Sequence, residues 1–134
     1  MKAWFADTSW FLAMIGPKDT HHARAVALSR NRSLPLVTTE WVIVELANGM
    51  SRPPARRRVF ATIVTSIESD PTALVIPSER QLFRRGLALY LDRPDKEWSL
   101  TDCISFVVMK DRGITEALTG DHHFEQAGFV ALLK

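Results

Sequence analysis

Two of the chain's aspartates directly follow apolar segments of the kind that forms buried strands. Asp7 follows residues 2–6, and Asp121 follows residues 114–119 after one glycine. A carboxylate at the carboxyl end of a buried parallel strand lies on the rim where α/β proteins bind ligands. Asp7 has an alternative interpretation, because a carboxylate at that position can also cap the helix predicted to begin near Thr8.

Two further acids lie on predicted helices. Glu45 lies at the margin of the apolar face of a helix over residues 40–50, where a solvated glutamate would also be found. Asp102 lies in the first turn of a helix over residues 99–112, and Ser99-x-x-Asp102 also resembles a capping box with Asp in place of Glu or Gln. Strand ends and helix starts share one rim of a parallel sheet, so all four acids can converge.

A convergence of four carboxylates predicts a site for a divalent cation. Crowded carboxylates repel each other and lose solvation, which requires either raised pKa values or a bound cation. Oxygen ligands suit Mg²⁺ or Mn²⁺ better than Zn²⁺, and the single cysteine, Cys103, excludes a cysteine-based zinc cluster. The adjacent His21 and His22 are predicted to pack or face solvent, because neighbouring helical residues point about 100° apart. Magnesium held by carboxylates typically serves phosphate chemistry.

The segments that carry these acids alternate between strand and helix patterns. Strands are predicted over residues 2–6, 34–38, 73–76, 114–119 and 129–133. Helices are predicted over residues 9–15, 19–31, 40–50, 56–68, 78–91 and 99–112, with a short helical turn over residues 122–124. This alternation predicts an α/β fold, a three-layer α/β/α sandwich with a central, mainly parallel sheet. With no internal repeat or linker, we expect a single domain over residues 1–134.

Composition and charge narrow the function classes. Hydrophobic residues make up 46% and charged residues 24% of the chain, as in soluble globular proteins, and no apolar run approaches the roughly 20 residues that cross a bilayer. Asp7 comes too early for a secretory signal, so we expect a cytoplasmic protein without a membrane span. The net charge of +2 permits a nucleic-acid partner without arguing for one. The densest positive cluster is either a solvated face or a contact for phosphate groups, and it consists of Arg52, Arg56, Arg57 and Arg58.

The sequence around the four acids resembles the PIN domain family. The resemblance covers essentially the whole chain in the family's order and spacing, and no acidic position departs from the family's pattern. The ending is similar to that of VapC-type toxins of bacterial and archaeal toxin–antitoxin systems. The segments that carry the resemblance are Asp7-Thr8-Ser9, Val44-Glu45-Leu46, Ser99-Leu100-Thr101-Asp102, Thr119-Gly120-Asp121-His122-His123-Phe124 and Ala127-Gly128-Phe129.

This resemblance implies a metal-dependent endoribonuclease whose catalytic acids are Asp7, Glu45, Asp102 and Asp121. The three aspartates would hold Mg²⁺ or Mn²⁺, and Glu45 would coordinate the ion or orient the attacking water. The products would carry a 5′-phosphate and a 3′-hydroxyl. Ser9 and Thr101 are expected to orient the acids, with helix capping as their alternative role.

The resemblance also implies partners. A ribonuclease without restraint would stop its host's translation, so we expect a cognate antitoxin protein beside the RNA substrate, and a homodimer.

A haloacid-dehalogenase-like phosphatase is an alternative function, since such an enzyme also has an aspartate after its first strand. Such enzymes usually place a second aspartate two residues later, where this chain has Ser9. A PIN-like binding module without catalysis is a further alternative, and the complete set of four acids argues against it.

Overall fold

The structure, a computed structural model that describes residues 2–134, alternates short strands with helices. The strands are β1 (Trp4–Ala6), β2 (Leu36–Thr39), β3 (Ala73–Ile76), β4 (Glu116–Leu118) and β5 (Val130–Ala131). The helices are α1 (Thr8–Ile15), α2 (His22–Arg30), α3 (Glu40–Gly49), α4 (Pro54–Ser69), α5 (Arg80–Asp92), α6 (Leu100–Asp111) and α7 (His122–Gln126). Within residues 2–134, no helix combines the length and the hydropathy that a membrane span requires.

The five strands form one sheet in the order β3-β2-β1-β4-β5, and each neighbouring pair is parallel. This confirms the predicted α/β fold class. The chain runs outward from β1 to β2 and β3, and then crosses back to β4 and β5 on the other side of β1. Because such crossovers are right-handed, helices before and after β3 cover opposite faces of the sheet. Open α/β sheets bind ligands where the strand order reverses, which here is the gap between β1 and β4.

A row of aromatic side chains connects the elements around this gap. Phe5 on β1 contacts Phe124 on α7, with ring centroids 6.4 Å apart. Phe124 packs edge-on against Phe106 of α6 at 4.9 Å, and Phe106 packs edge-on against Trp98 at 5.1 Å. These aromatic pairs fix the position of α6 and α7 relative to β1. Cys103 is fully buried in the core.

Two helices begin later than the sequence pattern predicts. Helix α2 begins at His22 because the residues before it form tight turns. Helix α5 begins at Arg80 instead of Ser78, because the Ser78 amide and hydroxyl both donate to the Glu40 carboxylate, at 2.5 and 3.0 Å. A contact between residues 38 positions apart therefore sets where α5 begins.

The close packing of α5 on α6 gives a testable prediction about Gly86. A Cβ at this buried glycine would overlap the Ile104 side chain and lie 3.2 Å from the Ile104 Cα. We expect Gly86→Ala to lower the free energy of unfolding by about 1–3 kcal/mol, because the two helices must separate. Gly49 at the end of α3 is the matched control, since a Cβ there meets nothing within 4 Å. Gly49→Ala should raise the free energy of unfolding by up to about 1 kcal/mol, and urea unfolding of both variants measures the difference.

Candidate active site

The ends of β1 and β4 bring Asp7 beside Thr119. Ala6 pairs with Leu118 in the sheet, so the residues that follow on the two strands also lie side by side. The Thr119 hydroxyl donates to Asp7 Oδ2 at 2.9 Å, and the Ser9 hydroxyl donates to the same oxygen at 3.2 Å. The two hydroxyl oxygens are 3.1 Å apart. The Asp7 carboxylate is therefore held in place through one of its oxygens.

Asp7 occupies the N-cap position of α1, yet its carboxylate makes no capping hydrogen bond, so the capping interpretation does not describe it. The residue is only 5% exposed. Burial raises the pKa of the Asp7 carboxyl to about 6, because the charged form loses its solvation. The hydrogen bond from Thr119 partly opposes this shift, whereas the negative charges of Asp102 and Glu45 add to it. Three of the four predicted acids are thus close enough to interact electrostatically.

Glu45 reaches this region from α3, which begins directly after β2. Thr39 caps the helix, because its hydroxyl accepts a hydrogen bond from the Val42 amide at 3.1 Å. The Glu45 side chain is partly buried, and its Oε1 accepts a hydrogen bond of 2.5 Å from the Thr8 hydroxyl. Glu45 is therefore anchored to the start of α1 and is not a freely solvated helix glutamate.

Asp102 has a structural and an electrostatic role at the same time. The predicted capping box with Ser99 is present: the Ser99 hydroxyl accepts from the Asp102 amide at 3.0 Å, and Asp102 Oδ2 accepts from the Ser99 amide at 3.2 Å. The side chain is nevertheless buried, and burial raises the pKa of Asp102. Hydrogen bonds from Ser99 and His123 oppose this rise, while the charge of Asp121 adds to it. The capping interpretation is correct but incomplete.

The fourth acid, Asp121, begins the short helix α7. Its Oδ1 accepts a hydrogen bond from the His123 amide at 2.9 Å. The His123 ring returns toward the acids, with Nδ1 lying 3.2 Å from Asp102 Oδ2 and 3.4 Å from Asp121 Oδ1. The sequence predicted a helical turn here but gave His123 no role. The sequence signal that could have indicated a role for His123 was its position two residues after Asp121, on the first turn of the helix that Asp121 caps.

The hydroxyl neighbours differ in part from the expectation. Ser9 contacts Asp7 as described, whereas no hydrogen bond joins the Thr101 hydroxyl to any of the four acids in the part of the chain that the structure describes. Thr119 provides the second hydroxyl contact to Asp7 instead. His22 Nδ1 bonds to the Ala13 carbonyl oxygen at 2.7 Å, which agrees with the predicted packing role for that histidine.

The four predicted arginines are exposed and lie at the α3–α4 connection and on the first turns of α4. Arg57 is held by a hydrogen bond of 2.6 Å from its Nε to the Ser51 carbonyl. The structure therefore leaves Arg52, Arg56 and Arg58 accessible to a ligand, and it gives them no contact with the four acids.

The four acids form a set of donors that fits a divalent cation. Within residues 2–134, no lysine or arginine lies within ion-pair distance of any of them, and the basic side chains beside them are the imidazoles of His122 and His123. Buried carboxylates without a cationic partner are costly, and oxygen donors are the ligands that hard divalent ions prefer. The site therefore has the negative charge and the donor atoms that a divalent metal requires.

The raised pKa of Asp7 predicts how stability of the metal-free protein changes with pH. Between its ordinary value of 3.8 and the folded value of about 6, the folded state keeps a proton that the unfolded state has lost. Asp7 therefore stabilises the fold below pH 3.8, and this contribution is lost as the pH rises through 6. The loss amounts to about 3 kcal/mol, since one pKa unit corresponds to about 1.4 kcal/mol.

Urea unfolding in EDTA between pH 4 and 7 measures this effect. The free energy of unfolding of Asp7→Asn, relative to the parent, should rise by about 2 kcal/mol across that range, because the unfolded-state pKa of 3.8 places the rest of the loss below pH 4. Asp111→Asn is the control, because the hydrogen bonds from Arg85 lower the pKa of Asp111 below its ordinary value of 3.8. Its effect on stability therefore changes below this pH range, and the free energy of unfolding relative to the parent should stay nearly constant between pH 4 and 7. A difference between Asp7→Asn and the parent that stays constant with pH would contradict the raised pKa.

The chain is similar to known proteins over nearly its whole length. Residues 4–130 match the sequence profile of the PIN domain. The chain is 27% identical over 126 residues to the 23S rRNA-specific endonuclease VapC20 of Mycobacterium tuberculosis. The alignment covers 94% of this chain and 95% of the relative. The crystal structure of VapC20, described as a Sarcin-Ricin loop cleaving toxin, superposes with a TM-score of 0.84 at 26% identity and covers 96% of this chain and 97% of that one.

A more distant likeness concerns the fold alone. The crystal structure of FitAcB from Neisseria gonorrhoeae has a TM-score of 0.65 at 18% identity, and the match covers 98% of this chain and 95% of that one.

The match to the PIN domain profile extends over nearly the whole chain, from β1 to the first residue of β5. This chain belongs to the PIN domain family.

Proposed function

We propose that the protein is a divalent-metal-dependent endoribonuclease and the toxin of a toxin–antitoxin pair. The observation that carries this proposal is the convergence of Asp7, Glu45, Asp102 and Asp121 on one rim of the sheet without a lysine or arginine partner in the described residues. The similarity to VapC20, a protein named for its action on 23S rRNA, supports RNA as the substrate class. A 23S rRNA fragment is therefore the first substrate to assay.

In this proposal Asp7, Asp102 and Asp121 hold the metal, and Mg²⁺ or Mn²⁺ suits their oxygen donors. A divalent cation in such a site supplies Lewis acidity, which lowers the pKa of water and stabilises negative charge that develops on the phosphate. The protein prepares the donors before the ion arrives. The hydroxyls of Ser9 and Thr119 fix the rotation of the Asp7 carboxylate, and the capping box fixes that of Asp102.

Glu45 is placed to orient the water that attacks the phosphodiester. The Thr8 hydroxyl holds Glu45 Oε1, so the carboxylate is directed before substrate binds, and it can accept a hydrogen bond from that water. A new bond forms between the water oxygen and phosphorus, and the bond from phosphorus to the 3′ oxygen breaks. The attacking water gives up one proton, which Glu45 can accept, and the 3′ oxygen takes up a proton from solvent and leaves as a hydroxyl. The phosphate remains on the 5′ end of the second fragment.

The structure offers less support for the alternatives. In a haloacid-dehalogenase-like phosphatase the residue two positions after the nucleophile is usually an aspartate, but here Ser9 donates a hydrogen bond to Asp7 Oδ2. A binding module without catalysis has no need to bury several mutually repelling carboxylates, since that arrangement costs stability.

A cognate antitoxin and a second copy of the chain remain the proposed protein partners, acting in the cytoplasm where the RNA substrate is found. An apolar groove of about 420 Å³ between α1 and α4 offers a surface for an antitoxin segment. Its walls include Trp10, Phe11, Met14, Val59 and Ile63. Arg56 lies at the neighbouring end of the same helix pair, so an acidic apolar segment would suit it.

Asp102→Asn separates the metal role of Asp102 from its capping role. Asparagine keeps an Oδ1 that can accept the hydrogen bond from the Ser99 amide, as Asp102 does in the capping box, but it brings no charge to a metal site. We expect the variant to fold and to cleave RNA more than about 100-fold more slowly than the parent. Added Mg²⁺ should raise the melting temperature of the variant much less than that of the parent. Cleavage of a 23S rRNA fragment and thermal unfolding with and without Mg²⁺ provide the two measurements.

Asp111→Asn is the matched control, because Asp111 is exposed at the opposite end of α6. This control should cleave RNA at the parental rate and keep the parental response to Mg²⁺. A folded Asp102→Asn protein that also cleaves at the parental rate would remove Asp102 from the catalytic set.

The exposed arginines give a separate prediction about RNA binding. Each phosphate contact contributes about 0.7 to 0.9 to the slope of log K against log salt concentration. Replacing Arg56 and Arg58 together by Ala should therefore weaken binding and reduce the slope by about 1.4 to 1.8. Binding is measured in EDTA so that the RNA stays intact.

The double variant Arg80→Ala/Arg84→Ala is the control for this measurement, because it removes the same charge from exposed positions on α5. We expect this control to keep the parental slope. Equal slopes for the parent and both double variants would show that Arg56 and Arg58 only face solvent.

A further inference from the structure

Two imidazole rings lie against the acids at the start of α7. His123 Nδ1 is 3.2 Å from Asp102 Oδ2 and 3.4 Å from Asp121 Oδ1. His122 Nδ1 is 3.7 Å from the same Asp121 oxygen, and the two rings lie 4.5 Å apart. One donor atom from each of residues 121–123 fits within a span of 4.8 Å. Nitrogen and carboxylate oxygen donors are therefore gathered at one point.

These separations match the spacing of ligands around a small divalent ion. Donors about 2.1 Å from one ion lie about 3.4 Å apart at tetrahedral angles and about 3.0 Å apart at octahedral angles. The distances from His123 Nδ1 to the two carboxylate oxygens, 3.2 and 3.4 Å, lie within this range. His123 Nδ1 therefore already lies at ligand spacing from both carboxylates, and the donor atoms of Asp121, His122 and His123 lie within 4.8 Å of one another.

The chemistry of the donors indicates which ions would be favoured. Carboxylates and water suit Mg²⁺, whereas imidazole suits transition ions such as Zn²⁺. We propose that His123, with Asp102 and Asp121 and with His122 at the outer edge, forms a mixed nitrogen and oxygen site that binds first-row transition-metal ions more tightly than Mg²⁺. This inference rests on the proposed function, since it names the class of ion that the same carboxylates take.

The inference differs from a simple positioning role for His123. As a positioning residue, His123 would donate its Nδ1 proton to Asp102 and support every metal equally. As a ligand, His123 carries its proton on Nε2 and offers the Nδ1 lone pair to the ion. The two roles predict different metal selectivity after the same substitution.

His123→Asn distinguishes the roles, because the asparagine amide reproduces a donor near the Nδ1 position but is a poor ligand for Zn²⁺. Calorimetric titration of the full metal-free chain measures the Kd for Zn²⁺ and for Mg²⁺. We expect the Kd for Zn²⁺ to rise at least about tenfold and the Kd for Mg²⁺ to change less than about threefold. His22→Asn is the matched control, since His22 Nδ1 also bonds to an oxygen, the Ala13 carbonyl, outside the acidic site.

A second measurement uses the parent protein alone, so its result does not depend on the folding of a variant. Zn²⁺ should shift the imidazole ¹⁵N resonance of His123 Nδ1, while the resonances of His22 stay in place. An unchanged Nδ1 resonance with Zn²⁺ bound overturns the inference, as does an equal loss of Zn²⁺ and Mg²⁺ affinity in His123→Asn. If either of these results is found and the protein still cleaves RNA with Mg²⁺, the proposed function stands. A parent protein that binds neither Zn²⁺ nor Mg²⁺ overturns both the inference and the proposed function.

Discussion

The hydrogen bond from the Thr119 hydroxyl to the Asp7 carboxylate joins the ends of β1 and β4 at the place where the strand order reverses. The sheet register makes this bond possible, because Ala6 and Leu118 pair directly before it. The bond in turn keeps a buried carboxylate in one orientation beside Asp102 and Glu45, although their charges repel it. The rest of the site is arranged around this crowded and poorly solvated acid.

The fold supports the crowding by using rigid elements. The aromatic contacts from Phe5 through Phe124 and Phe106 to Trp98 hold β1, α7 and the start of α6 together. Because these elements cannot move apart, the acids cannot relieve their repulsion by spreading into water. In the proposed function a divalent cation relieves this repulsion, which couples metal binding to the stability of the whole fold.

Asp102 illustrates how one side chain can serve both the fold and the site. Its carboxylate completes the capping box with Ser99 and also faces His123 at the centre of the acidic cluster. Local pattern alone could not separate these roles, because a capping box in sequence is the same whether or not other acids lie across the rim. The structure shows both contacts on the same oxygen, Oδ2.

Local residue types were sufficient to predict the α/β class, the parallel sheet and the rim on which the acids lie, because alternating strand and helix periods depend on those types. They also predicted β3 at residues 73–76, since a short apolar run between turn residues has few other interpretations. Sequence spacing did not predict that Thr119 contacts Asp7, that Thr8 anchors Glu45, or that His123 lies between two acids. These contacts join residues 21 to 112 positions apart, or depend on the direction of a ring, so strand register and helix packing decide them and local sequence spacing does not.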